Sequence, residues 1–460
     1  ICVGHNKGLS DSPHMTARQA AVQALLKVDG EGGYSNLVLN EQLKKAQLSP
    51  EDTAFASRLF YGTLERKLTL DHIIGAYSKK PVHKLTPAVA EILRMSLYQL
   101  AFLDSVPDSA AVNEGVKLTR TMKAASASGF VNAVLRAFLR DGKELPPIKG
   151  GQLRQREVRY SCPQWIIRSL QQSYGEQAAI DFLEYSLERP PLYARVNTAR
   201  GSVEACVKRL QEEGVRVQLD PDLPGCIALE QTASIERLSA FQEGLLHIQD
   251  KSSQLCAAAL GAKPGERVLD CCAAPGSKSF TAAEWMGDEG EIVSCDIFAE
   301  KIKKIKQGAK RLGLSCIRAR LQDATAFDPS LGQFDRVLCD APCSGIGIIG
   351  RKPEIKYKKE QDLQDLPQVQ AKILDNVSRY VKKGGTLLYS TCTLLERENG
   401  AVVQAFLKEH PEFEPAALPE MVQKACGIAD KQAWKVILLP HKGQRAQTDG
   451  FFIATMKKVR

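Results

Sequence analysis

The sequence predicts a multidomain chain: an N-terminal all-α bundle, a small α+β domain, and a C-terminal α/β domain built on a largely parallel sheet. Three observations predict it. From Thr16 to about Lys143, apolar residues recur at helical spacing, and the sequence shows no strand-like alternation. From Leu192 to Gln249, short patterns follow the order β-α-β-β-α-β, and beyond Gln249 apolar strand patterns alternate with helical ones.

Composition sets the broad class of the protein. A chain of 460 residues that is 44% hydrophobic and 25% charged is globular and exceeds a single ordinary core. The net charge of +9 favours a polyanionic partner. Thirteen scattered cysteines without a visible secretory signal predict reduced thiols in a cytoplasm, and no apolar run approaches the ~20 residues of a membrane helix. Residues 1–14 precede Met15 and are expected to be a leader outside the folded chain.

The helical domain is expected over residues 15–143. Its apolar positions recur every three or four residues, as on one buried face of a helix, most densely from Val89 to Leu100. Each basic side chain of this domain, taken singly, is best explained as part of a solvated surface. Taken together with a resemblance of this domain given below, they become candidate phosphate contacts. They are Arg18, Lys44, Lys45, Arg58, Arg66 and Arg136.

Residues 144–188 are expected to form a linker and a short helical module. Pro146-Pro147 and Gly150-Gly151 punctuate the linker, and Ser161-Cys162-Pro163 is expected to cap the start of the module. The β-α-β-β-α-β domain follows over residues 189–248. That order is a ferredoxin-like unit, compatible with RNA-recognition folds. It lacks an evident pair of stacking aromatic residues, so a spacer role and RNA contact both stay open.

The last domain is expected over residues 249–460. Its strand patterns end in acids or thiols, and ligands of open α/β sheets bind outside the carboxyl ends of the strands. Two late strands are expected to lie side by side in the sheet. The predicted strands are Arg267–Cys272, Glu291–Asp296, Ile317–Leu321, Phe334–Asp340, Thr386–Cys392, Lys435–Leu439 and Phe451–Met456.

Three short stretches at these strand ends indicate the chemistry of the domain. Asp270 to Lys278 turns through small residues into a helix, which lets a ligand approach the backbone and the free N–H groups of the helix start. By itself such a loop suits any doubly wound fold. The other two stretches are Asp340 to Gly345 and Tyr389 to Cys392. An acid followed by C-A-A-P-G, then D-A-P-C-S-G, then Y-S-T-C resembles the RNA cytosine-C5 methyltransferases that use S-adenosylmethionine.

The helical domain carries a second resemblance, to the NusB-like RNA-binding domain. It rests on Ala17 to Ala21, Leu97 to Leu100, Ala111 to Glu114 and Phe130 to Arg136. A chain with these two domains in this order resembles the bacterial 16S ribosomal RNA cytosine-C5 methyltransferases of the Sun family. They imply a NusB-like bundle, a ferredoxin-like or RRM-like domain, and a Rossmann-like class I methyltransferase domain.

The resemblance implies that S-adenosylmethionine binds at the strand ends. Asp296 would bind the ribose hydroxyls, as acids do at this position in dinucleotide folds, and Asp323 the adenine amino group. Without the resemblance, Asp323 is better explained as a helix cap before Ala324. The implied cofactor-binding residues are Asp270, Cys272, Ala273, Ala274, Pro275, Gly276, Ser277, Lys278, Asp296, Asp323 and Asp340.

The resemblance also implies covalent catalysis. C5 of cytosine is a poor nucleophile until a thiolate adds at C6. Cys392 is the implied nucleophile, Cys343 the thiol that assists product release, and Asp340 the contact to the N3 and amino edge of the base. Pro342 would fix the turn that aims Cys343 and Asp340. The alternative for a lone cysteine at a strand end is a small core residue.

Other chemistries fit the residues less well. NAD is disfavoured because the loop after the first strand, Arg267–Cys272, lacks G-x-G-x-x-G, and NADP because an acid at Asp296 opposes a 2′-phosphate. No C-x-x-C pair supports a zinc site, so no metal is expected. An amino-methylating site would carry a stacking ring where Cys343 stands.

Three positions depart from the family pattern, one of them Ser279, where the family usually has Thr. Ser277 stands where the family has Gly, and we expect the change to weaken pre-organisation of the loop without abolishing binding. Gly400 replaces an acid after Glu398-Asn399, which puts the detail of a helix cap in doubt.

Two basic clusters supply candidate RNA contacts. The first, Lys301 to Arg311, lies on a helix, where a solvated face is the favoured explanation; the second, Arg351 to Lys359, follows Cys343 and is the stronger candidate. The expected partner is 16S ribosomal RNA, free or in a small-subunit assembly intermediate, bound by a monomer without a membrane. A tRNA or 23S RNA methyltransferase and a non-catalytic assembly factor stay open. The candidate contacts are Arg351, Lys352, Lys356 and Lys301.

Overall fold

The computed structural model describes residues 15–31, 35–230, 234–441 and 448–460. The expected leader, residues 1–14, lies outside the described residues. The chain divides into two compact units. The first holds the described residues up to Ile167 together with Lys352–Tyr357, and the second holds Arg168–Arg351 and Lys358–Arg460. Over the described ranges, no helix is both long enough and apolar enough to cross a membrane.

The first unit is helical, as its apolar spacing predicts. Its complete α-helices are α1 (Ala17–Glu31), α2 (Ser35–Ala46), α3 (Pro50–Glu65), α4 (Lys67–Tyr77), α5 (Pro87–Phe102), α6 (Asp108–Thr121), α7 (Ser128–Arg140) and α8 (Gln152–Tyr160). Helix α5 has 16 residues, of which 11 are buried, so it forms the centre around which the other helices pack. Within the described residues of this unit, every regular element is a helix.

A short segment from later in the chain also belongs to the first unit. The segment is Lys352–Tyr357. Tyr357 Oη donates a hydrogen bond to the Leu64 carbonyl at 2.6 Å, and Lys356 Nζ donates to the Glu65 carbonyl at 2.8 Å. Carbonyls in the last turn of a helix have no intrahelical partner. The segment therefore caps the carboxyl end of α3.

The ferredoxin-like order is confirmed in the second unit. Its small sheet is antiparallel and has the strand order β2-β3-β1-β4. The elements follow each other in the predicted order β-α-β-β-α-β. The two helices connect strands that are not neighbours in the sheet. The elements are α9 (Gln164–Tyr174), α10 (Glu176–Tyr185), β1 (Leu192–Val196), α11 (Val203–Glu212), β2 (Arg216–Leu219), β3 (Cys226–Glu230), α12 (Ser239–Gln242) and β4 (Leu246–Ile248).

Two local predictions before this sheet are wrong. Helix α8 occupies part of the expected linker, because Gly150-Gly151 precedes a helix instead of continuing a loop. Ser161 ends α8 in the left-handed conformation, with φ of 47°, and does not cap α9, which begins at Gln164. The Ser161 hydroxyl accepts the Leu68 N–H at 2.9 Å, and this contact within the first unit helps to hold that conformation.

The large sheet of the second unit confirms the predicted α/β domain. Its strand order is β10-β12-β9-β8-β5-β6-β7, with β11 also paired to β12. Strands β5 to β9 pair in parallel, and β12 runs antiparallel to β9. The remaining elements are α13 (Lys251–Leu260), β5 (Arg267–Asp270), α14 (Ser277–Trp285), β6 (Glu291–Asp296), α15 (Ala299–Leu312), β7 (Ile317–Leu321), β8 (Phe334–Asp340), α16 (Leu366–Ser378), β9 (Val381–Thr391), α17 (Gly400–Glu409), β10 (Phe413–Pro415), α18 (Glu420–Ala425), β11 (Lys435–Leu438) and β12 (Phe451–Lys458).

Candidate active site

The carboxyl ends of four neighbouring parallel strands form the candidate site. The order β9-β8-β5-β6 places the ends of these strands side by side at one edge of the sheet. Asp340, Asp270 and Asp296 are the last residues of β8, β5 and β6, and Cys392 directly follows β9. Parallel strands with crossover helices leave this edge open to ligands. The topology thus brings together the strand-end residues that the sequence singles out.

Two thiols contact each other at this edge. Cys343 Sγ and Cys392 Sγ are 3.3 Å apart, and both side chains are partly exposed. The Gly347 N–H donates to the Cys392 carbonyl at 3.0 Å, which links the backbones that carry the two thiols. The contact with Cys392 and burial raise the pKa of the Cys343 thiol well above its usual range. The raised pKa favours the protonated form of Cys343, whose sulfur lies within hydrogen-bonding distance of the Cys392 sulfur.

Asp340 is held between a cation and a hydroxyl. Lys278 Nζ lies 2.7 Å from Asp340 Oδ2, and Ser390 Oγ donates to Asp340 Oδ1 at 2.8 Å. Desolvation lowers the pKa of Lys278, but Asp340 and other neighbouring groups raise it, and the net shift is upward. The ammonium group therefore stays charged and links the first turn of α14 to the end of β8. A carboxylate oxygen can accept more than one hydrogen bond, so Asp340 can still accept one from a ligand.

The loop between β5 and α14 needs its glycine. Gly276 has φ of +108°, and a Cβ atom there would lie 2.6 Å from the Phe280 ring. The Ala273 N–H donates to the Cys295 carbonyl at 2.8 Å, so the neighbouring strand supports the loop. Ser277, in contrast, is the first residue of α14 and has no positive φ. The expectation that Ser277 weakens the loop through its backbone is wrong, because glycine's freedom is needed one residue earlier.

Asp270 supplies a buried acceptor beside this loop. Its Oδ2 accepts the Ser279 hydroxyl at 2.7 Å, while its Oδ1 is buried and has no hydrogen-bond partner among the described residues. Burial raises the pKa of Asp270 to about 7. An unpaired buried acceptor costs free energy unless a ligand donates to it. The free acceptor atom of Asp270 fits a cationic methyl donor such as S-adenosylmethionine, whose ammonium group can donate a hydrogen bond to it.

The two other acids implied for the cofactor differ in their surroundings. Asp296 is buried at the end of β6, and its Oδ1 accepts the Phe298 N–H at 3.1 Å. Asp323 is exposed, and its Oδ1 accepts both the N–H and the hydroxyl of Thr325 at 2.8 Å. Asp323 therefore caps a turn, but the helix that the alternative explanation assumed at Ala324 is not among the described elements.

Two of the four candidate RNA contacts are corrected by the structure. Lys356 is only 1% exposed and donates inside the first unit, so its charge is not available to a phosphate. Arg351 pairs with Asp449 and Asp250, each at 2.7 Å, which neutralises its guanidinium within the second unit. Lys352 is half-buried, and Lys301 is partly exposed with its Nζ 3.6 Å from Asp296. In each corrected case, the basic group is hydrogen-bonded or ion-paired within its own unit.

Sequence reasoning missed three polar residues behind the thiols. They are Gln370, Glu398 and Asn399, all buried. Gln370 Nε2 donates to the carbonyl of Pro342, whose ring is exposed. The signal in the sequence was the Glu398-Asn399 pair, which directly precedes Gly400.

Comparisons with known proteins match all three parts of the chain. Residues 257–457 match the family model for 16S rRNA methyltransferase RsmB/F, residues 15–140 the NusB family, and residues 162–236 the RsmF/B-like ferredoxin-like domain. A NusB-like bundle joined to this sheet and its strand-end site defines the class: an RNA methyltransferase.

Relatives narrow the class to one family. Probable ribosomal RNA small subunit methyltransferase B of Bacillus subtilis is 38% identical, over 96% of this chain and 99% of that protein. Ribosomal RNA small subunit methyltransferase B of Shigella flexneri is 34% identical, over 86% of this chain and 91% of that protein. The chain belongs to the ribosomal RNA small subunit methyltransferase B family, and this membership confirms the predicted resemblance.

Solved structures support the predicted fold class. The crystal structure of PH0851 is 27% identical with a TM-score of 0.80, covering 98% of this chain and all of that one. A methyltransferase homolog protein from Pyrococcus horikoshii is 28% identical with a TM-score of 0.56, covering 67% of this chain. The multidomain fold class is therefore confirmed.

Proposed function

We propose that this chain transfers a methyl group from S-adenosylmethionine to C5 of a cytosine in 16S ribosomal RNA, through a covalent bond between Cys392 and C6 of the base. Family membership supplies the coarser activity, methylation of ribosomal RNA. The observation that carries the finer proposal is the 3.3 Å contact between Cys343 and Cys392 at the strand ends.

Cys392 acts as the nucleophile in this proposal. Its thiolate adds to C6, and the electron pair of the C5–C6 double bond becomes available at C5. S-adenosylmethionine, when bound, supplies the methyl group that C5 takes up. The C5 proton then passes to solvent water, the bond between Cys392 and C6 breaks with its electron pair remaining on sulfur, and the C5–C6 double bond is restored. Partial exposure of Cys392 is consistent with access to a base.

Cys343 assists the last step. The raised pKa of Cys343 leaves a proton on its sulfur, 3.3 Å from the Cys392 sulfur. A thiol at this distance can donate a hydrogen bond to the departing Cys392 thiolate and so favour rupture of the bond to C6. Without that donor, the adduct breaks more slowly than it forms.

Asp340 orients the base. Lys278 and Ser390 fix its carboxylate, and each oxygen keeps capacity to accept a further hydrogen bond. The cytosine amino group is a donor, so an ionised Asp340 can accept from it; it can accept from N3 only when N3 carries a proton. A pyrimidine outside its stack is required for this contact, at a cost of a few kcal/mol.

The methyl donor would be held along the ends of β5 and β6. Asp270 offers its unpartnered Oδ1, the loop from Cys272 to Lys278 its backbone, Asp296 an acceptor for ribose hydroxyls, and Asp323 an acceptor for the adenine amino group. Lys358 and Lys359 from the second basic cluster are exposed, and they replace Lys356 and Arg351 as candidate phosphate contacts. The proposed partner is 16S RNA, free or in an assembly intermediate, bound by a monomer.

Paired cysteine variants test the proposal. Cys392→Ala should lower methyl transfer to unmodified small-subunit ribosomal RNA by about 1,000-fold or more, because the nucleophile is lost. Cys343→Ala should accumulate an RNA–protein adduct that survives denaturing electrophoresis. Cys426→Ala, at another partly exposed cysteine, is the matched control and should behave like the wild type. Normal turnover by Cys392→Ala would contradict the assignment.

The RNA target has a separate test. Bisulfite mapping of RNA from cells that lack the protein should show one cytosine in 16S RNA that loses protection from deamination. Loss at a position in tRNA or 23S RNA instead would favour the corresponding alternative target.

A further inference from the structure

Two adjacent buried residues lie behind the thiols. Glu398 and Asn399 are both fully buried. They lie in the connection from the end of β9 to the start of α17. Glu398 Oε2 accepts the Ser344 N–H at 2.9 Å and Gln370 Nε2 at 2.8 Å. Gln370 Nε2 also donates to the Pro342 carbonyl at 2.9 Å. The residues on both sides of Cys343 are thus held by Glu398, directly or through Gln370.

Asn399 makes the equivalent contacts around the other thiol. Its Oδ1 accepts the Thr391 hydroxyl at 2.5 Å, and its Nδ2 donates to the Thr393 carbonyl at 2.9 Å. These two residues flank Cys392. Because both groups of the amide side chain are used, rotation of the side chain would break both contacts.

Glu398 has a second property that packing alone does not explain. Its Oε1 is buried without a hydrogen-bond partner among the described residues, which is a costly arrangement for an acid. After the contact with Cys392 and burial, the Glu398 charge is a further cause that raises the pKa of Cys343. The Glu398 carboxylate therefore acts on Cys343 in two ways. It holds the turn that carries Cys343, and its charge favours the protonated form of the Cys343 thiol.

We propose that Glu398 and Asn399 are positioning residues with separate tasks: Glu398, with Gln370, sets Cys343 for release of the product, and Asn399 sets Cys392 for attack on the base. The inference rests on the proposed roles of the two cysteines. Tyr389 Oη donates to the Glu398 carbonyl at 2.6 Å and anchors the pair to β9. Because the two residues are consecutive, one anchored peptide fixes both thiols relative to each other.

The test compares variants that disturb one thiol at a time. Glu398→Gln and Gln370→Ala act on the Cys343 side, and Asn399→Ala and Asn399→Asp on the Cys392 side. Asp at position 399 can still accept from Thr391 but cannot donate to Thr393. Glu409→Gln and Gln404→Ala, at exposed positions of α17, are matched controls. Thermal unfolding of each full-length variant identifies any that fails to fold, and the second variant on the same side then carries the test.

Two readouts on unmodified small-subunit ribosomal RNA separate the tasks. Glu398→Gln and Gln370→Ala should raise the steady-state fraction of denaturation-resistant RNA–protein adduct about tenfold, with first-turnover methyl transfer nearly unchanged. The Asn399 variants should slow first-turnover transfer about tenfold or more and leave the adduct fraction no higher than in the wild type. A misplacement of about 1 Å can cost about 100-fold in rate, and we expect about tenfold because each variant removes only part of the contacts that hold its thiol.

A measurement without RNA keeps the inference distinct from the proposed mechanism. Iodoacetamide labelling of the free protein, resolved by peptide mass spectrometry, should be about threefold or more faster at Cys343 in Glu398→Gln, since a lower pKa exposes more thiolate. The Asn399 variants should change labelling of Cys392 and leave Cys343 as in the wild type. Identical effects of the two sets of variants on both thiols would overturn the inference. Failure of Cys343→Ala to trap an adduct, with the labelling pattern as expected, would overturn the proposed function alone.

Discussion

The connection from β8 to α16 contains two regions that look equally functional in the sequence and differ in the structure. The first, residues 340–345, places Asp340 and Cys343 at the open edge of the sheet. The second, residues 351–357, places Lys356 inside the first unit and pairs Arg351 with two acids. Polar groups of the first region lie at the candidate site, and those of the second are hydrogen-bonded or ion-paired within the protein.

The difference between the two regions shows how far a pattern of basic residues in the sequence can be used to predict a binding surface. A lysine or arginine must be solvated, paired or hydrogen-bonded, and the sequence does not say which. A strand-end acid followed by a thiol is more informative, because sheet topology fixes where strand ends lie. Position in a topology therefore predicted where these side chains lie better than the charge pattern did.

The sharpest test of this comparison changes Asp340. Asp340→Asn keeps the shape of the side chain but removes the charge that pairs with Lys278 and that we propose accepts from the base. Methyl transfer should fall by about 1,000-fold, a size typical of a positioned acid or base. Radiolabelled methyl incorporation under single-turnover conditions measures it.

Asp335→Asn provides the control at the opposite end of the same strand. Asp335 accepts the Arg267 N–H and pairs with Lys382, so it is also an ion-paired acid of β8. Its variant should transfer methyl groups at nearly the wild-type rate. Equal losses in the two variants would mean that the edge of the sheet has no special role.

The second region is tested by Arg351→Met. The variant leaves Asp250 and Asp449 close together and largely buried without their cation, so the free energy of unfolding should fall by about 3 kcal/mol. The salt dependence of RNA binding should not change. Urea unfolding and filter binding at several salt concentrations measure the two quantities.

Lys358→Met is the reciprocal variant, since Lys358 is exposed. It should leave the free energy of unfolding unchanged and reduce the slope of log affinity against log salt by about 1. The opposite result, a stable Arg351→Met protein with a shallower slope, would restore Arg351 as a phosphate contact.

Strand bounds show what the sequence could predict about the fold. The bounds of β6, β7 and β8 match the prediction residue for residue, and a polar residue marks the carboxyl end of each: Asp296, Gln322 and Asp340. Strand β9 begins at Val381, five residues before the predicted Thr386. The intervening Lys382 to Gly385 has no apolar pattern, but Val381 before it pairs with Phe334 of β8, a partner that local pattern cannot reveal.

The candidate site shows the same limit. The motifs gave Asp340, Cys343 and Cys392 directly. They could not give the ion pair between Lys278 and Asp340, which joins residues 62 apart in the chain, or the role of Glu398 behind the Cys343 backbone. Such pairings depend on tertiary packing, whereas a motif records only neighbours in sequence.

The smallest expected effect concerns Lys356 and its dependence on pH. Burial lowers the pKa of Lys356 from 10.5 to about 8. Between these values the unfolded chain binds a proton that the folded protein does not, so the free energy of unfolding of the wild type rises with pH across this window. Below pH 8 the wild type bears the full cost of the buried cation.

Lys356→Met removes this contribution. The variant should gain stability relative to the wild type below about pH 8, and the gain should shrink by about 2 kcal/mol by about pH 9.5, at roughly 1.4 kcal/mol per unit. A pH-independent loss of about 1 kcal/mol from the unpaired Glu65 carbonyl would offset the gain equally at every pH. Urea unfolding of both proteins between about pH 7 and 9.5 measures the difference between their free energies of unfolding. The contributions of other titrating groups are the same in both proteins and cancel in this difference. A difference that does not vary with pH would place the Lys356 ammonium in solvent, and the two regions of the connection would then be alike.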